Sequence, residues 1–266
     1  MESEIQPLRD RLGELLDEHE SLYGVICRDA TLTDIELMAQ AGYHVVWLDM
    51  EHGPQSMAET LRLGRTITHL GMVPLVRMPE LSRTHVQRLL DGGIQVLTLP
   101  DVRNADEAAR FVQLGKYAPL GQRGVSSSSA GTAFTMGADP QQRLRDANDA
   151  THLMLMIESD EAYESLDEIL AVDGVDMVTV GPMDWSVSLG LFGDEAKALQ
   201  SPKIERVFTA AAKAGKITAA GAVSIEQANH YHALGVRVFF VGVDLVIKRE
   251  ALTETLAQFQ NALGTR

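Results

Sequence analysis

At 266 residues the chain suits one α/β barrel or two small domains and is long enough to bury a full core. Its 37 acidic and 23 basic side chains leave a formal charge of -14, a surface that repels a phosphate backbone and argues against a nucleic-acid partner. No apolar run is long enough to span a bilayer, so no membrane partner is expected, and the single cysteine, Cys27, excludes an internal disulfide and a cysteine-rich metal site.

Met1 to Glu20 is charged and patterned as an amphipathic helix, not as a secretory signal, which makes the cytoplasm the expected location. Leu22 to Ile26 (LYGVI) is the first expected strand, followed by a helix from Leu32 to Ala41 with Gly42 as its C′ glycine. Val45 to Met50 (VVWLDM) and Val73 to Arg77 (VPLVR) are the next strands, separated by a helix from Ser56 to Leu70 that stops at Gly71. Ser82 serves as the N-cap of a helix reaching Leu90. Gln95 to Leu99 (QVLTL) is strand four, and the helix Ala105 to Leu114 follows it. Strands five to eight are expected at Leu153 to Glu158, Met177 to Gly181, Ile217 to Gly221 and Val236 to Val241. The helices Glu161 to Ala171, Ser201 to Ala214, Ser224 to Leu234 and Ile247 to Leu263 alternate with them. The strands are short and apolar on both faces, as parallel strands buried under helices are. This alternation predicts a single-domain (β/α)8 TIM barrel over residues 1–266, with no linker or second domain. One connection is unusually long. About fifty residues separate strands four and five. Within it, residues 116–148 hold a Gly/Ser-rich loop, Lys116 to Ala138, and a helix from Pro140 to Ala147. A long loop at the C-terminal mouth of a barrel is often part of the active site, and this one is expected there.

Barrel enzymes carry their chemistry at the C-terminal ends of the strands. There the sequence sets Asp49, Glu51 and His52 after strand two, Arg77 on strand three, Glu158 on strand five, Asp184 after strand six and Asp244 after strand eight. Glu158 and Asp184 end neighbouring strands, about 5 Å apart. Two carboxylates, with water and substrate oxygens, suit Mg2+ or Mn2+. Helix-capping or surface acids are the other reading of the pair. His52 precedes Gly53 and Pro54 and can take up a proton near neutral pH, although a lone loop histidine is more often only solvated. Arg77 either binds a carboxylate or enolate oxygen or pairs with an acid such as Glu51. Asp91 closes the third helix of the βα series, which puts it at the bottom of a single barrel as a helix-terminal acid. Cys27 ends strand one and reads as packing.

These strand ends carry a recognisable combination. Leu48-Asp49-Met50-Glu51-His52-Gly53 resembles the D-x-E-H-[AG] signature of the HpcH/HpaI aldolase family, the metal-dependent class II pyruvate aldolases. Leu75-Val76-Arg77, Leu90-Asp91-Gly92-Gly93, Asn104 to Ala108, Tyr117 to Gly124 (YAPLGQRG) and Ile157-Glu158-Ser159 also resemble its segments. So do Gly181-Pro182-Met183-Asp184-Trp185-Ser186, against the family's G-P-x-D-L-S, and Gly242-Val243-Asp244. The similarity runs in order from about residue 20 to 260. It implies that Glu158 and Asp184 are metal ligands for Mg2+, Mn2+ or Co2+, that His52 is the catalytic base, and that Arg77 stabilises the enolate oxyanion. Asp91 would raise the basicity of the histidine, which requires it to come from a neighbouring subunit or to sit elsewhere than its helix suggests. Gly181, Pro182 and Met183 would offer backbone groups to the pyruvate carboxylate. The resemblance also implies a homo-hexamer, a trimer of dimers that exchange their last helix. Met156 departs from the family's glutamine two residues before the metal-binding glutamate, and Ser126 from its glycine after R-G-V. A thioether cannot hydrogen-bond substrate as an amide can, so Met156 bears on the substrate-binding surface.

The activity implied is reversible cleavage of a 4-hydroxy-2-keto acid to pyruvate and an aldehyde through a metal-stabilised enolate. No lysine ends a strand at the mouth, which argues against Schiff-base chemistry. Oxaloacetate decarboxylation, or joining the enolate to another acceptor, uses the same groups. Cleavage of a CoA thioester lacks a basic cluster to support it. A keto-acid-binding protein without turnover rests only on Met156.

Overall fold

The computed structural model describes residues 8–137 and 139–264. The part of the expected N-terminal helix before residue 8, and Ala138 of the long loop, lie outside the described residues. Helix α1 (Arg11–Glu18) leads into β1 (Leu22–Cys27), α2 (Leu32–Ala41), β2 (Val45–Asp49), α3 (Met57–His69), β3 (Val73–Arg77), α4 (Arg83–Asp91), β4 (Val96–Leu99) and α5 (Ala105–Gly115). After the long connection come α6 (Pro140–Asp149), β5 (His152–Ile157), α7 (Asp160–Glu164), α8 (Leu166–Leu170), β6 (Met177–Val180), α9 (Pro182–Leu189) and α10 (Gly193–Lys213). The chain ends with β7 (Ile217–Gly221), α11 (Ile225–Ala233), β8 (Val238–Val243) and α12 (Asp244–Leu263). The eight strands close in sequence order, all parallel, with β8 against β1. The single-domain (β/α)8 barrel is the observed architecture.

Alternation along the strands sorts the core into two layers. Trp47, Leu75, Val96, Met154, Met156, Met177, Ala219, Val238 and Phe240 fill the barrel interior, and Leu12 and Leu15 of α1 join that cluster. Their strand neighbours, such as Val46, Leu48, Val76, Leu97, Leu155 and Val178, face outward into the layer under the helices. Period-two alternation therefore decides that Asp49 and Arg77, two residues beyond Trp47 and Leu75, point inward at the mouth.

Helix starts follow the local chemistry. Thr31 with Asp34 and Ser56 with Glu59 form reciprocal capping boxes, and Ser82 caps α4 by accepting from the N–H of His85. Three elements differ from expectation. The helix expected over 161–171 is broken into α7 and α8 at Ser165. Helix α10 starts at Gly193, so Pro202 lies inside it and not in its first turn. Helix α9 was not expected, although Pro182 in its first turn and the left-handed Gly190 at its end are ordinary helix punctuation.

The long connection corrects a larger expectation. It follows α5, which has already returned the chain to the N-terminal ends of the strands, so the loop lies at the bottom of the barrel and not at the mouth. Lys116 of this loop donates to the carbonyls of Asn148 and Thr151 and pairs with Asp176, residues that precede β5 and β6. Further on, Arg123 pairs with Asp91, and Gln87 of α4 exchanges hydrogen bonds with the backbone of Gly124. A side chain at Gly131 would put Cβ 2.3 Å from the carbonyl oxygen of Leu90. Only glycine lets the loop lie this close to α4.

Candidate active site

The mouth is organised by a buried ion pair. Asp49 is fully buried and accepts from Arg77 Nε at 3.0 Å and Nη2 at 2.6 Å, a two-pronged contact between residues in register on β2 and β3. The backbone N–H groups of Glu51 and His52 donate to Asp49 Oδ1 at 3.1 and 3.2 Å, which folds the following turn over the carboxylate. Burial alone would push the Asp49 carboxyl up, but the Arg77 contacts and these N–H groups hold it below its ordinary value. Gly53 completes the turn, because a Cβ there would lie 2.2 Å from the carbonyl oxygen of Asp49.

Arg77 uses its remaining edge on Glu51, with Nη1 2.9 Å from Oε2. The expectation left Arg77 between a substrate ligand and an ion-pair partner; the fold pairs it with Asp49 as well as Glu51. The sequence shows Asp49 only as a strand-end acid, and its place in the D-x-E-H segment is the signal that it organises the turn. His52 stands on the same turn with a side chain 43% exposed, its Nε2 3.8 Å from Glu51 Oε2. Burial is the main reason the Glu51 carboxyl is raised, with Arg77 opposing it.

Glu158, immediately after β5, is 6% exposed. Its Oε1 accepts the N–H of Asp101 at 2.6 Å, while Oε2 is buried without any partner. Asp101 sits at φ 46°, a left-handed conformation uncommon for a non-glycine residue, and its backbone N–H thereby meets the carboxylate. Burial, reinforced by Asp184 and Glu51, pushes the Glu158 carboxyl up to about 7 against the opposing Asp101 N–H. A buried carboxylate oxygen with no donor, near two further acids, is an environment that a cation would suit. Gly181 is shaped to it: a Cβ there would fall 2.1 Å from Glu158 Oε2. Asp184 follows in the first turn of α9 and is exposed. No group of three or more His, Cys, Asp or Glu suited to a metal occurs among the described residues, so a cation here also needs oxygens from water and substrate.

Helix α9 begins at Pro182, with Gly181 as an N-cap that has no side chain to offer. No side-chain cap bond is made from this N-cap, so the first-turn N–H groups of Met183 and Asp184 are in a setting suited to a carboxylate. Met156 lies one pleat below Glu158, 4% exposed, in the barrel-interior cluster that also holds Trp47 and Phe240. Asp244, at the start of α12, is buried and accepts from the N–H groups of Arg28 and Asp29, which ties α12 to the end of β1. Cys27 is buried, as its packing reading anticipated.

Asp91 is not brought to this cluster within the chain. It ends α4 at the bottom of the barrel, where Arg123 Nη2 lies 2.8 Å and Gln87 Nε2 2.7 Å from its carboxylate. Close by, a cavity of about 550 Å³ is lined by Arg9, Arg11, Arg65 and Arg123. None of the mouth residues lines it.

The model of the HpcH/HpaI aldolase/citrate lyase family matches residues 28–251. A 2-keto-3-deoxy-L-rhamnonate aldolase from Salmonella gallinarum is 33% identical over 258 residues, 96% of this chain and 94% of its own. Among solved structures, an HpcH/HpaI aldolase from Desulfitobacterium hafniense DCB-2 superposes with a TM-score of 0.86 at 29% identity, covering 94% of this chain and 96% of its own. The citrate synthase SbnG superposes with a TM-score of 0.86 at 25% identity, covering 96% and 99%. With the fold, the buried carboxylate and the D-x-E-H turn in place, the chain belongs to the HpcH/HpaI aldolase/citrate lyase family and is an aldolase-type carbon–carbon lyase.

Proposed function

We propose that this enzyme is a divalent-metal-dependent aldolase that reversibly cleaves 4-hydroxy-2-keto acids to pyruvate and an aldehyde. The observation that carries the reading is the orphaned Oε2 of buried Glu158 beside glycine Gly181 and near Asp184. Glu158 and Asp184 hold the ion, which when bound supplies Lewis-acid polarisation of the keto acid. The first-turn N–H groups of Met183 and Asp184, in the Gly181-Pro182-Met183 turn, receive the pyruvate carboxylate. Arg77, fixed by Asp49, presents a guanidinium whose charge stabilises the enolate oxygen as it develops. His52, exposed on its turn, moves the proton between substrate and solvent. Mg2+, Mn2+ and Co2+ all suit such an oxygen site.

Asp91 reaches His52 only from a neighbouring subunit, since its own barrel places it at the opposite end. The long loop at the bottom meets a substrate the same way. A homo-hexamer built as a trimer of dimers satisfies this. Its support within the chain is α12, where Leu252, Leu256, Phe259 and Leu263 form an exposed stripe at helical spacing, as a helix exchanged between subunits would carry. The single, buried Cys27 fits the reducing cytoplasm.

Met156 favours a second outcome at the same site, oxaloacetate decarboxylation or transfer of the enolate to another acceptor. It replaces a hydrogen-bonding amide with a thioether below the metal ligand. A panel of 4-hydroxy-2-keto acids and oxaloacetate, assayed for pyruvate release with Mg2+, Mn2+ or Co2+, separates the two. Cleavage that persists in chelator, or in Glu158→Ala, would sink the metal-enolate reading.

A further inference from the structure

The turn carrying Asp184 is anchored to the core chiefly through Trp185. Of the eight residues of α9 only Trp185 and Ser186 are buried, while Met183 and Val187 are exposed. Both buried residues are held by polar contacts. Trp185, adjacent to Asp184 and fully buried, donates its indole N–H to Asp160 Oδ1 at 2.8 Å. Asp160 stands two residues beyond Glu158, in the first turn of α7. The bond therefore links the elements that carry the two metal-binding carboxylates.

Helix α10 grips both from outside. Gln200, itself buried, donates to Ser186 Oγ at 3.1 Å and to the Pro182 carbonyl at 3.2 Å, holding α9 by its start. Three residues on, and so on the same face of the helix, Lys203 donates to Asp160 Oδ1 at 2.6 Å. Its ammonium also lies 5.7 Å from the Trp185 ring and 5.5 Å from the Tyr163 ring. The G-P-x-D-L-S segment of the family has leucine where this chain has Trp185. A leucine has no N–H and cannot make the bond to Asp160.

We propose that Trp185, Asp160, Gln200 and Lys203 are positioning residues that fix Asp184 against Glu158 and so set how tightly the divalent ion is held. The inference rests on the assignment of Glu158 and Asp184 as its ligands. Removing groups that hold metal ligands in place typically weakens metal affinity by about 10–100-fold. The alternative is that the four residues only stabilise the fold.

Mn2+ titrated into the metal-stripped full-length protein, with free ion read by electron paramagnetic resonance, decides this without turnover. Trp185→Phe keeps the ring and removes the N–H, and its Mn2+ dissociation constant is expected to rise about tenfold or more. Gln200→Leu releases α9 from its other side and is expected to act in the same direction, and it carries the test if Trp185→Phe does not fold. Wild-type Mn2+ affinity in the folded variants, with only the melting temperature lowered, overturns the proposal. Glu158→Gln is titrated in parallel. Undiminished Mn2+ binding in Glu158→Gln overturns the ligand assignment itself, whereas loss of binding there with wild-type affinity in Trp185→Phe and Gln200→Leu overturns only the positioning role.

Discussion

Glutamine at position 158 tests the electrostatics of the mouth in the protein stripped of divalent ions. In the folded chain Glu158 is 6% exposed with one oxygen unpartnered, and its carboxyl is raised from 4.5 to about 7. A rise of this size corresponds to about 3 kcal/mol of preference for the protonated form. Because the folded value lies above the unfolded one, ionisation penalises the native state. Little is lost below about pH 4.5, the penalty grows as pH rises, and it is fully present above about 7. Glutamine carries no charge at any of these pH values. Urea unfolding of wild type and Glu158→Gln at pH 5 and pH 8 should therefore differ between the two pH values by about 2–3 kcal/mol, in favour of the variant at pH 8. Saturating Mn2+ should reverse the order at pH 8, since wild type gains binding free energy that the variant lacks. Parallel stability in the absence of metal across this range would refute the claim that Glu158 is destabilised by burial, and no reversal with Mn2+ would refute its role as a ligand.

Gly181→Ala should fold yet weaken Mn2+ binding by about tenfold or more, because its Cβ would displace the Glu158 carboxylate; isothermal titration measures it. Asp49→Ala should cost up to about 3 kcal/mol in chemical denaturation, since it removes the two-pronged partner of the buried Arg77 guanidinium and leaves it only Glu51. The folded Asp49 carboxyl lies below its unfolded value, so its contribution is present above about pH 4 and disappears as pH falls through the lowered value. The stability deficit of Asp49→Ala should accordingly shrink toward acid pH. Mixing inactive His52→Gln and Asp91→Asn subunits by unfolding and refolding together should restore part of the activity if Asp91 serves a neighbour's His52; no recovery would place its function within its own chain. Met156→Gln should raise retro-aldol cleavage relative to oxaloacetate decarboxylation, read as the ratio of the two kcat/KM values.

Repeating hydrophobic periods and glycine stops were enough, on the sequence alone, to determine eight βα units and hence the closed barrel, because strand and helix patterning are local. Position along each strand likewise determined that Glu158, Asp184, Arg77 and His52 gather at one end, and that Asp91 does not. Tertiary structure decided which of them touch. The pairing of Arg77 with Asp49 depends on the register of β2 against β3, and the orphaned oxygen of Glu158 depends on how Asp101 and Gly181 close around it. The place of residues 116–137 at the bottom of the barrel was readable in principle from α5 preceding them, but their contact with Asp91 through Arg123 was not. Such contacts join residues far apart in the chain, and only the packed fold brings them within hydrogen-bonding distance.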